Sequence, residues 1–148
     1  MDKLPGDYIA GFVDGEGCFA LKFRRDVRHD RKNKPVYFYW DVEFAINLKA
    51  DDREVLEKIM ATLGCGKVHK ENKRGLVRYS VQDNKDLLNK IIPFFEKHPL
   101  RAKKRLDFEL WKEATGILAN GQDSKKLEAI RDKMKLYKGG NRSNWKWL

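Results

Sequence analysis

Ten residues near the start of the chain, YIAGFVDGEG at positions 8–17, restrict its fold more than any other segment. They hold Gly11, Gly15 and Gly17, the carboxylates Asp14 and Glu16, and a short apolar run. Taken as a helix, Ile9, Phe12 and Val13 fall at i, i+3 and i+4 and face the core. Tyr8, Gly11 and Gly15 fall on a different face. Two glycines four residues apart leave a groove into which a second helix backbone can pack closely. The helix has to stop near Gly15 or Gly17, and both acids sit where it stops. Acids there oppose the negative end of the helix dipole and the orphan carbonyls. Carboxylate and carbonyl oxygens gathered in one place suit a hard cation such as Mg2+ or Ca2+. The segment reads as a dimerising helix that ends in a metal site.

The length of 148 residues suits one domain, 1–148, with a real core and promises no second one. A formal net charge of +10, from 32 basic against 22 acidic residues, calls for a polyanionic partner. No apolar run approaches a membrane span and the N-terminus shows no signal-peptide pattern, so nucleic acid in an intracellular setting is expected, with no membrane. Cys18 and Cys65 lack zinc-site spacing and are expected to be reduced, small and buried.

Beyond the glycine-rich helix, positions 18–25 alternate, with Phe19, Leu21 and Phe23 on one side and Lys22 and Arg24 on the other. The charged run DVRHDRKNKP, 26–35, reads as a hairpin tip carrying Arg28. Positions 36–48 form a long strand. Its apolar face is Phe38, Trp40, Val42, Phe44, Ile46 and Leu48, opposite Tyr37, Tyr39, Asp41, Glu43, Ala45 and Asn47. Asp51 and Asp52 are expected to cap an amphipathic helix ending at Gly64. A second hairpin, 66–71 with 75–82, turns Val77, Tyr79 and Val81 inward and Arg78 and Ser80 outward. Helices follow from Asn84 (with Pro93 as a kink), over about 100–119, and over about 124–137, before a basic, aromatic tail with Trp145 and Trp147. His29, His69 and His98 show no ligand spacing; Trp40 and Trp111 read as core. This order gives an α+β protein with one antiparallel sheet, polar on one face and covered by helices on the other.

The nine residues IAGFVDGEG, followed at the right distances by both hairpins, resemble the LAGLIDADG motif of the homing endonucleases. The resemblance covers about 6–120, leaving a variable C-terminal helix and tail at 121–148. It implies an αββαββα core whose sheet forms a saddle for double-stranded DNA. It also implies that a chain with one motif acts as a homodimer, with Tyr8, Gly11 and Gly15 at the interface. Glu16 then supplies the metal carboxylate and the Gly15 carbonyl a second ligand, while Asp14 is structural. Mg2+ is the implied cofactor, with Mn2+ able to substitute and Ca2+ binding without cleavage. Lys22, Arg24, Arg28, Tyr37, Tyr39, Asp41, Glu43, His69, Arg78 and Ser80 become the candidate DNA contacts. In the run 101–105, Lys103, with Lys104 second, matches a basic residue near the scissile phosphate. The position at which the family often carries a glutamine that orders water falls on Leu48, with Asn47 beside it.

The expected function is therefore site-specific, metal-dependent cleavage of both strands of a near-palindromic DNA target, leaving short 3′ overhangs. Divalent ions supply both a positioned water and charge neutralisation for such hydrolysis. The alternatives are an RNA maturase acting on its own intron RNA and a non-catalytic DNA-binding module. Either setting implied by such a function is intracellular, nucleoid-associated cytoplasm in a prokaryote or an organelle in a eukaryote.

Overall fold

The computed structural model describes residues 2–138, with side chains described through residue 136. Trp145 and Trp147 lie outside the described residues. The chain forms α1 (Gly6–Glu16), β1 (Gly17–Val27), β2 (Val36–Lys49), a 3-10 turn (Ala50–Asp52) and α2 (Arg53–Leu63). It continues through β3 (Lys67–Val68), β4 (Leu76–Val81), α3 (Asn84–Asp86), a π-helical stretch (Leu87–Ile91), α4 (Ile92–Lys97), α5 (Lys104–Leu118) and α6 (Ser124–Lys138). The strands form one antiparallel sheet in the order β1-β2-β4-β3. The α+β expectation holds.

The sheet's inner face follows from the period-two alternation of its sequence. Phe19, Trp40, Val42, Phe44, Ile46, Val77, Tyr79 and Val81 are all buried. Phe19 is the centre of the core. Its ring lies 5.2 Å from Phe44, 5.7 Å from Phe95, 5.3 Å from Phe108 and 5.0 Å from Trp111, joining β1 and β2 to α4 and α5. Trp111 also donates its indole N–H to the Ala20 carbonyl at 3.2 Å, tying α5 to edge strand β1. On the open part of the β2 edge, the Gln122 side chain takes the place of a strand. Its amide accepts from Trp40 N–H at 2.8 Å and donates to Trp40 C=O at 3.3 Å, which covers an otherwise sticky edge.

Several local expectations are revised. Phe38 lies on the inner side of β2 but is exposed, because the hairpin projects beyond the helices; its ring stacks on Phe23 at 5.5 Å. Cys18 is exposed, because it shares the outward parity of Lys22, and Cys65 is only partly buried. Neither Asp51 nor Asp52 makes a capping hydrogen bond to α2. Pro93 does not break its helix. Ile92 N–H instead reaches back to Leu87 C=O, and the widened π turn sits immediately before the ring that would crowd a regular one. Helix α5 starts at Lys104 rather than near Leu100, and it buries Phe108, Trp111, Ala114 and Thr115.

The second hairpin pairs over only two residues of β3, although His69 N–H to Arg78 C=O (2.8 Å) and Asn72 N–H to Leu76 C=O (2.9 Å) carry it on. Gly66 makes this narrow entry possible: its φ is +85°, and an added Cβ would lie 2.7 Å from Val81 Cγ2 and 2.8 Å from Ser80 O. Gly75 has a similar φ of +75° but open space around it. Gly66→Ala is expected to lower the unfolding free energy by about 2–4 kcal/mol, against about 1 kcal/mol for Gly75→Ala, in urea titrations.

Candidate metal and nucleic-acid site

Helix α1 passes into β1 with no linker. Gly17 N–H bonds to Val13 C=O, and a Cβ on Gly17 would come within 2.6 Å of Val13 Cγ1, so only glycine fits this joint undisturbed. The joint turns Ile9, Ala10 and Val13 into the core and leaves Glu16 exposed as the last helical residue. On the other side of α1, Tyr8 is 50% exposed, and added side chains at Gly11 and Gly15 would meet nothing within 4 Å. The Tyr8, Gly11 and Gly15 face is open in the single chain.

The two acids of the motif have different surroundings. Asp14 accepts from the backbone N–H of Arg101 (2.9 Å) and of Ala102 (3.1 Å), clamping the approach to α5 against the end of α1. That contact fixes the chain immediately before Lys103, which is exposed, and Lys104, which is half-buried; both make contacts of their own. Among the described residues, no hydrogen bond or ion pair engages the Glu16 carboxylate. Beside it, the Gly15 carbonyl belongs to the last turn, where carbonyls lack helical partners. These hard oxygen donors fit a cation of the Mg2+ class, but no cluster of three His, Cys, Asp or Glu forms among the described residues of one chain.

Strand parity separates the two residues at the glutamine position. Leu48 packs against the core, whereas Asn47 is exposed on the polar face and accepts from Arg78 Nη1 at 3.2 Å. The β1–β2 register ends with Gly17 opposite Ile46, so Asn47 follows the residue that pairs with the one after Glu16.

All ten candidate DNA contacts share the outer face or its rim, and the structure pairs many of them with one another. Lys22 lies across from Asp41 and Arg24 across from Tyr39, with Asn47 across from Arg78 and Ala45 across from Ser80. Arg24 is ion-paired to Asp41. Arg28 sits 3.3 Å from Asp26, whose carboxylate also accepts from the Tyr39 hydroxyl at 2.8 Å. Tyr37 accepts from Arg31 at 3.1 Å, and the His69 ring meets the Ser80 hydroxyl at 2.7 Å. Two of the ten are buried, Ser80 and Glu43. The Glu43 side chain is only 5% accessible and receives Lys22, Arg78 and Gln82. Burial alone would raise its pKa; the Gln82 hydrogen bond, the Arg78 charge and Lys22 outweigh that and hold the carboxyl below its ordinary range. Sequence reading left Gln82 out of the candidate contacts, although it continues the outward parity of β4, and named Asn47 only as the neighbour of Leu48.

The family model described as LAGLIDADG endonuclease matches residues 9–115. The chain belongs to this LAGLIDADG family. It is 32% identical over 136 residues to a probable intron-encoded endonuclease, Cox1-I1b, of Schizosaccharomyces pombe, covering 88% of this chain and 33% of that protein. It is also 32% identical over 104 residues to a probable intron-encoded DNA endonuclease 1 of Mycosarcoma maydis, covering 70% of this chain and 35% of that one. The chain thus spans about a third of these curated relatives. Among solved structures, the homing endonuclease I-TnaI superposes with a TM-score of 0.77 at 30% identity, covering 98% of this chain and 95% of its own. The meganuclease I-SmaMI bound to uncleaveable DNA gives 0.69 at 27% identity, over 94% of this chain and 44% of its own. The saddle-and-helices fold of the LAGLIDADG family is therefore the fold of this chain.

The Asp14 clamp has a measurable consequence. Asp14→Ala is expected to cost about 1–2 kcal/mol of stability. It should also speed hydrogen exchange selectively at the Arg101 and Ala102 amides, which NMR or mass spectrometry resolves.

Proposed function

We propose that this chain is a site-specific DNA endonuclease that acts as a homodimer on a near-palindromic duplex and requires a divalent metal. The observation that carries this reading is Glu16, without a partner among the described residues, at the foot of an open Tyr8, Gly11 and Gly15 face. A second α1 helix packed on that face would bring two Glu16 carboxylates and two Gly15 carbonyls together, completing a ligand set that one chain supplies only by half. I-SmaMI, which this chain matches over 44% of its length, is built at about twice the size, as expected if two such units make one functional body.

A Mg2+ ion held there would orient water and neutralise charge on the scissile phosphate, with Mn2+ substituting. Ca2+ is expected to support binding without cutting; I-SmaMI has been seen bound to an uncleaved DNA target in the presence of calcium ions. Lys103, fixed by the Asp14 clamp, would stabilise developing charge near the phosphate. Lys22, Arg24, Arg28, Tyr37, Tyr39, Asp41, His69, Arg78 and Ser80 would follow the major groove, where donor and acceptor patterns distinguish all four base pairs. The relatives are fungal and intron-encoded by name, which favours intron homing inside an organelle. Among the described residues, no helix is long and apolar enough to cross a membrane.

A library of randomised duplexes incubated with the protein and Mg2+ is expected to yield one enriched, nearly symmetric cleaved site. Glu16→Gln should abolish cutting of that site while leaving its Kd within a few-fold of wild type. Lys103→Ala should slow single-turnover cleavage by about 10²-fold, and Lys104→Ala by less. Retained cutting by Glu16→Gln would sink the metal assignment. Sedimentation of the protein on its target should show two chains per duplex; one chain per duplex would refute the homodimer.

A further inference from the structure

The middle of a DNA-facing sheet is a poor place for a buried anion, since phosphate repels it and burial strips its water. Glu43 occupies that place on β2 with a side chain only 5% accessible. Its neighbour Asp41 offers a contrast: Asp41 and Arg24 are both largely in solvent, where such a pair contributes little. A buried ion pair is itself weak evidence for stabilisation, so its use has to be sought in what it fixes in place.

Glu43 fixes three donors from three parts of the chain. Oε1 accepts from Lys22 Nζ of β1 at 3.2 Å and from Arg78 Nη2 of β4. Oε2 accepts from Gln82 Nε2, just past β4, at 2.6 Å. Because an ionised carboxylate offers no proton, the nitrogen of the Gln82 amide must face it, which sets where the amide oxygen points. The guanidinium of Arg78 is held at both ends, by Glu43 through Nη2 and by Asn47 through Nη1 at 3.2 Å. Asn47 in turn follows Ile46, the residue that pairs with Gly17 next to Glu16. Beside the cluster opens a cleft of about 420 Å³, with Lys22, Glu43, Gln82 and Asn84 in its wall.

We propose that Glu43 is a positioning residue. It sets the orientation of Lys22, Arg78 and Gln82 for reading base edges, and through Arg78 and Asn47 it links that reading to the cleavage centre at Glu16. Glutamine and arginine recognise adenine and guanine by bidentate contacts that tolerate little rotation, so a fixed orientation converts directly into discrimination. Glu43 touches no DNA in this scheme, unlike the other residues of the face. The inference rests on the endonuclease reading above.

The test compares wild type with Glu43→Gln, which removes the charge, and Glu43→Asp, which keeps it on a shorter stem. The substrates are the selected cleavage site, that site with single base changes, and a random duplex. For Glu43→Gln, binding to random duplex should tighten a few-fold and its salt dependence should not decrease, because an anion has left the face. Single-turnover cleavage of the selected site should fall by about tenfold or more, and the preference for it over single-base variants should shrink by a similar factor. Glu43→Asp should show the same losses without the tighter random binding. A residue that served stability alone would weaken all binding together. Wild-type cleavage and discrimination in Glu43→Gln would overturn the inference and leave the endonuclease reading intact. Failure of wild type to cut any duplex would overturn both. Should Glu43→Gln not fold, Gln82→Ala at the exposed end of the network serves instead. It is expected to lose discrimination at an unchanged melting temperature, and unchanged discrimination would overturn the proposal.

Discussion

Phe19 is the contact on which the rest of this structure depends. Its ring meets four others, one from β2, one from α4 and two from α5, so displacing it would separate β1 from α4 and α5 together. Because β1 is an edge strand with a partner on one side only, this packing and the Trp111 bond to Ala20 add to the β2 ladder in holding it down. Glu16 sits three residues upstream across the tight Gly17 joint. A carboxylate that needs a place in a site is thus fixed by a phenyl ring in the core, with almost no loop between them to absorb motion.

The outer face of the sheet shows a second kind of order. A chain with an excess of ten positive charges might be imagined as a bare cationic surface, yet here acids on the same face neutralise and orient the cations. The exposed pairs, such as Arg24 with Asp41, are weak and open to exchange with phosphates or bases. The buried Glu43 hub is not, since breaking it would leave an uncompensated charge. On the proposed function, loose pairs would suit adaptation to DNA and a fixed hub its recognition. The surplus charge in the β1–β2 and β3–β4 tips would supply attraction that depends on salt and carries no sequence information.

Much of this was legible in the sequence because it depends on local periodicity. The alternation of β1 and β2 assigned Phe19, Trp40 and Phe44 inward and Lys22, Arg24 and Asn47 outward, and the structure keeps that assignment. The spacing of Ile9 and Val13 against Tyr8, Gly11 and Gly15 likewise separated the two faces of α1. Reading failed where a distant partner decides. Nothing near Leu100 says that Asp14, nearly ninety positions earlier in the chain, will hold Arg101 and Ala102 and so delay the start of α5. Phe38 follows the inner parity yet has no helix beneath it, and Cys18 looks like a small core residue but takes the outer parity.

The sequence by itself determined the helix with its glycine face, the two hairpins, the basic balance and the acid at the helix end, since each follows from residue type and spacing along one segment. The family resemblance already made Glu16 the metal carboxylate and Asp14 structural; the fold supplied the contacts, with Asp14 engaged by backbone N–H groups and Glu16 left without a partner among the described residues. The fold also set Asn47 against Arg78 and turned Glu43 from one more polar residue on a strand into the common partner of Lys22, Arg78 and Gln82. The physical reason is the same in each case. Whether a polar group is bound, buried or free depends on atoms that the fold brings from remote parts of the chain, and spacing along one strand or helix carries no record of them.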